Sequence, residues 1–143
     1  MSFPDKALLW LHIAFAIFAI GPVAAFTGFT PRYIRARDVA VLRHLHRGTR
    51  FFGALALGVF LFGALLGRGD LGKPYLSVSM TLFVVAMVLL VMINRDQRAA
   101  VRVLSSEKPE DDAKVQTGRI AMLGGITSLL WLVILVLMVW FNP

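Results

Sequence analysis

The stretch Leu8–Thr30, LLWLHIAFAIFAIGPVAAFTGFT, runs for 23 residues without a formal charge. As a helix it extends about 35 Å, enough for a hydrocarbon core of about 30 Å. Such a run has few structures open to it, because in lipid each backbone N–H and C=O must be paired inside the segment. Three more apolar blocks follow, at Phe51–Gly67, Tyr75–Asn94 and Ile120–Phe141. Hydrophobic residues reach 58%, above the roughly 45–50% of soluble chains. The excess sits in these blocks, so they read as membrane spans and not as one greasy core. The expected fold is all-α: a single integral membrane domain over residues 1–143, a four-transmembrane-helix bundle. Its first helix should kink at Gly21-Pro22, since proline cannot donate to the carbonyl one turn earlier. The first block is too long, and too poor in basic residues at its start, for a cleaved signal peptide.

The links between blocks set an orientation. Arg32–Arg50 carries six Lys/Arg and Arg95–Arg119 another six, against Lys6, Arg68 and Lys73 on the other side. The positive-inside rule then predicts both large loops, 31–50 and 95–119, in the cytoplasm and both termini outside, in a bacterial inner membrane. Trp10, Tyr75 and Trp140 fall at the outer interface and Tyr33 at the inner one, which agrees. Pro31 should close the first span. Val41, Leu42 and Leu45 give the following basic stretch an apolar side, which predicts a helix on the membrane surface leading into the second span. Arg43, Arg47 and Arg50, with His44 and His46, should lie among anionic lipid headgroups. Ser105–Lys114 is the most loop-like segment. The formal charge is +7, but the basic residues sit in short loops and not on a continuous surface, which excludes nucleic acid as a partner.

Lipid tails provide no hydrophobic drive for helix association, so close approach needs small residues. Gly21/Ala25, Ala24/Gly28, Ala54/Gly58 and Gly63/Gly67 are spaced by four, and Gly124-Gly125 lies in the last span. These pairs predict a tight hairpin of spans one and two. A bundle this small also leaves apolar surface for a homodimer or a larger membrane complex.

Chemistry is constrained first by what is missing. There is no cysteine, which removes thiolate metal sites and cysteine nucleophiles. Every carboxylate falls outside the apolar blocks, which argues against proton-coupled pumps. No phosphate loop, nucleophile elbow or zinc-protease signature occurs. The hydroxyls inside spans can bond to their own helix backbones, and Trp131 reads as core packing. That leaves His12, which shares a helix face with Ala16 and Ala19. It can be an axial haem ligand, with Met80, Met138 or a second subunit's His12 opposite. It can equally be a structural histidine bonded to Ser77, Ser79, Tyr75 or water. His44 and His46 lie a bilayer away and are spaced i, i+2, so the three histidines cannot form one metal site.

Leu11-His12 opening the first span, Ala19-Ile20-Gly21 within it, Pro31-Arg32 closing it and Gly118-Arg119 before the last span form a pattern. It resembles the small four-helix proteins grouped around bacterial HemJ-type protoporphyrinogen oxidase and the copper-resistance D domain. In layout it is most similar to a family of predicted bacterial four-helix integral membrane proteins. The resemblance implies haem b on the first-span histidine, which maps to His12. The chain departs from the oxidase pattern in having no lysine between Tyr75 and Ile93, and Ile17 or Phe18 where a tryptophan is expected. The expected function is therefore a non-catalytic membrane protein binding haem b or another porphyrin through His12, or a subunit of a membrane complex. The alternatives are a haem-dependent porphyrinogen- or quinone-linked redox enzyme, and a small homodimeric channel or transporter.

Overall fold

A computed structural model describes residues 2–105 and 113–141. Ser2 caps the chain's first helix, its hydroxyl accepting the Asp5 N–H, and Pro4 sits in the first turn, where its missing N–H is harmless. Helix α1 (Phe3–Phe15) passes through a π turn at Ala16–Ile20 into α2 (Gly21–Arg35). The π turn ends immediately before Gly21-Pro22. It is the interruption that Pro22 imposes, because a helix that loses an i−4 donor must re-space its hydrogen bonds. Helices α3 (Val39–Leu66), α4 (Pro74–Leu104) and α5 (Lys114–Trp140) complete the chain. Each of the four long helical segments is long and apolar enough to cross a membrane. The fold is an all-α four-helix bundle, the architecture of a multi-pass membrane protein.

The helices form a ring: the first span packs on α3, α3 on α4, α4 on α5, and α5 back on α2. Two core clusters fill it. The larger gathers Val23, Ile34, Leu42, Leu90, Ile93 and Ile120; the smaller holds Ala19, Ala56, Val59 and Phe83. Trp131 packs against both, its ring 5.4 Å from that of Phe83, which bears out its reading as core. Trp10, Phe18, Leu129 and their like face outward, as lipid-facing side chains do.

Two boundary expectations are overturned. Pro31 does not close the first span; it lies buried within α2, which runs on to Arg35. The hydroxyls of Thr27 and Thr30 bond to the Val23 and Phe26 carbonyls around it, and a proline is tolerated where such groups and neighbouring helices support the backbone. Nor is there a separate surface helix before the second span. The chain reverses at Ala36–Asp38, with Arg37 at φ 55° and Asp38 accepting the Val41 N–H, and α3 then runs unbroken from Val39. Leu42 and Leu45 are buried, because α4 is also longer than its apolar block and offers Ala100 and Leu104 as partners. At 31 residues α4 extends about 46 Å, some 16 Å beyond a hydrocarbon core of about 30 Å. The bundle therefore continues past the apolar level at its Arg-rich end. Of the loop expected at Ser105–Lys114, Ser106 to Asp112 lie outside the described residues.

Candidate functional site

His12 reaches α3 and not α4. Its Nδ1 donates to the Val59 carbonyl at 2.9 Å, where the sequence had suggested Ser77, Ser79, Tyr75 or water. The two serine hydroxyls bond elsewhere: Ser79 donates to the Tyr75 carbonyl and Ser77 to the Leu71 carbonyl. What lets the imidazole lie against the α3 backbone is Gly63. A Cβ there would stand 2.9 Å from Cε1 and 3.1 Å from Nδ1 of the ring. A carbonyl can only accept, so Nδ1 carries the hydrogen, and in the neutral ring Nε2 keeps its lone pair. An imidazole held by Nδ1–H to a backbone carbonyl has the orientation and tautomer of a metal-ligating histidine.

The ring lies on a cavity of about 500 Å³, within the range of sites for small organic ligands. Leu9 lines it from α1, Leu66 from α3, Tyr75 and Leu76 from α4, and Met138 from α5. The cavity exists because α2 packs on α5 whereas α1, beyond the π turn, packs only on α3. Pro22 thus shapes the site from two turns away. The rim is charged: Arg68 pairs with Asp5 at 3.6 Å and donates to the Leu65 carbonyl, while Lys73 pairs with Asp70. The Arg68–Asp5 pair ties the α3–α4 link to the start of α1. Of the methionines proposed as ligands, Met138 lines the cavity with His12, and Met80 is not among its lining residues. Among the described residues no three His, Asp or Glu side chains converge as metal ligands.

A second polar group lies near the Arg-rich end. Gln97 is buried and its Nε2 donates to Thr30 and Thr49 hydroxyls at 2.9 and 3.1 Å, joining α2, α3 and α4. Its Oε1 has no protein partner. One residue earlier, the buried Asp96 takes both Arg119 Nε and Nη2, at 2.8 and 2.6 Å, so its two oxygens are occupied. Sequence reading missed both groups because they lie just past the apolar block ending at Asn94. Nor does His46 sit wholly among headgroups: it is half-buried against α4, its carbonyl accepting from Asn94. His44, Arg43, Arg47 and Arg50 are exposed. The span hydroxyls of Thr27, Ser79, Thr81 and Thr127 bond to their own helices, as the sequence suggested, whereas Ser77 donates to the Leu71 carbonyl in the link before α4.

Compared with known proteins, the chain matches no family model, no curated protein and no solved structure.

Proposed function

We propose that this four-span protein resides in a bacterial inner membrane and binds haem b or another porphyrin through His12, without catalysing a reaction of its own. One observation carries the reading: the Nδ1–H bond to Val59 fixes the imidazole on a half-open cavity and leaves Nε2 as its free coordinating atom. Met138 is the thioether of this chain at the same cavity, and a second copy's His12 in a homodimer is the other source of an opposing ligand. Haem bound there would supply a one-electron redox centre. The chain's own residues would orient the ligating ring and surround the macrocycle with Leu9, Leu66 and Leu76. The Lys/Arg imbalance supports an orientation with loops 31–50 and 95–119 in the cytoplasm and both ends of the bundle's chain outside.

The test is optical. Protein produced with ample haem should show a Soret band on purification, absent in His12→Ala and altered in Met138→Leu. A colourless wild type overturns the proposal. Cysteines placed at Ser2 and Ser105 test the orientation: the first should react with an impermeant reagent from outside, the second only after the membrane is opened.

A further inference from the structure

Below the π turn, α2 and α5 meet along small residues and leave a groove of about 310 Å³ between them. Ala24, Gly28 and Pro31 line one wall and Ala121, Gly124 and Ser128 the other. Among the described residues no side chain fills it: a Cβ at Gly28 or Gly124 would meet nothing within 4 Å. Two arginines follow its α2 wall in sequence. Arg32 and Arg35 follow Gly28 and Pro31 by four residues each, so they continue the same helix stripe one turn further. Both are exposed, and among the described residues neither has an acidic partner. A hollow between apolar helices with two exposed arginines one turn beyond it on α2 is complementary to an acyl chain carrying a phosphate.

We propose that an anionic phospholipid of the leaflet at the Arg-rich end binds here, one acyl chain in the groove and its phosphate between Arg32 and Arg35. A second copy of the chain fits this face poorly. Two-fold symmetry across the groove would set Arg32 and Arg35 of one copy against the same residues of the other. The proposal rests on the membrane setting of the bundle and is independent of haem at His12.

Native mass spectrometry in mild detergent tests it, with dioleoylphosphatidylglycerol and dioleoylphosphatidylcholine as the probes. Phosphatidylglycerol should be retained preferentially. Removing both charges in Arg32→Gln/Arg35→Gln should weaken its retention by roughly thirtyfold. Gly124→Leu should fill the groove and displace the lipid while the melting temperature in lipid-free detergent stays unchanged. Arg43→Gln/Arg47→Gln, exposed on α3 and outside the groove's lining, should leave retention as it was. Equal retention of phosphatidylcholine, equal loss in the Arg43/Arg47 control, displacement by inorganic phosphate alone, or a dimer in place of the lipid adduct would each overturn the proposal.

Discussion

Two sets of glycines in this bundle have opposite surroundings. Along α3 and at its C-cap, Gly48, Gly58, Gly63 and Gly67 each hold a neighbour's side chain where a Cβ would go: Phe26, Phe15, His12 and Leu76 respectively; Gly53, also on α3, has open space there. On α2 and α5, Gly21, Gly28, Gly124 and Gly125 have nothing within 4 Å of that position. Gly48, Gly58 and Gly63 build the hairpin of spans one and two, and Gly63 is what brings an imidazole onto a backbone carbonyl, while Gly67 receives Leu76 of α4. The second leaves a hollow for something outside the chain. A membrane helix therefore uses the same residue type for contact and for vacancy, and spacing alone does not separate the two uses.

The largest expected effect strikes the first set. Gly63→Leu should drive side-chain atoms into the His12 ring and cost about 1–3 kcal/mol, with Gly58→Leu comparable through Phe15. The same change at Gly125 should leave the melting temperature in detergent unmoved. Thermal unfolding of the three variants side by side decides the matter: equal losses at all three positions would erase the distinction between the sets. Gly63→Leu should also abolish any Soret band together with the His12–Val59 bond.

How far the sequence reveals this difference depends on where one looks. The four spans were legible because lipid demands long uncharged runs, and the hairpin because its small residues are dense. Gly58, Gly63 and Gly67 were singled out and do have a neighbour's side chain against them; Gly21, Gly28, Gly124 and Gly125 were singled out on the same grounds and have open space where a Cβ would go. A signal that separates them was present but needed the turn. Phe26 and Gly48 are each eleven residues from Arg37, and antiparallel helices of equal rise place such pairs at one level. Phe15 and Gly58, or His12 and Gly63, obey the same symmetry within one residue. The helix ends were less legible. Hydropathy stops at Thr30 and Asn94, whereas burial continues through Ile34, Gln97 and Leu104, because packing outside the lipid needs no uncharged run. At the site, His12 and Met138 could be placed at one level by topology, but the choice of Val59 over Ser79 depends on ring geometry that no pattern encodes.

A smaller effect isolates what the hydrogen bond adds to the glycine contact. His12→Phe keeps a ring over Gly63 and removes the donor. The Val59 carbonyl retains its helical position, so no buried acceptor is stranded in the way that loss of an only partner would strand it. Interhelical hydrogen bonds in membranes average about 0.6 kcal/mol, so His12→Phe should lose about that much, and His12→Ala somewhat more because the ring leaves too. Unfolding in mixed micelles checks the order of the two. A phenylalanine variant as unstable as the alanine one would mean that the bond, not the ring's fit against Gly63, holds this part of the hairpin.

The smallest effect comes from Gly124→Ala, and its smallness is itself informative. In water, replacing a helical glycine by alanine stabilises by reducing the freedom of the unfolded chain. In lipid that gain shrinks, since a separated span must remain helical to pair its backbone groups. The added methyl group meets no protein atom within 4 Å, so no packing term replaces the lost entropy term. The melting temperature in lipid-free detergent should thus move by the equivalent of less than about 0.5 kcal/mol, in either direction. A larger destabilisation would mean that the α2–α5 groove closes in detergent and that its glycines belong with those of α3. A larger stabilisation would mean that α5 unwinds when the bundle opens, so that the water rule and not the lipid rule governs this helix.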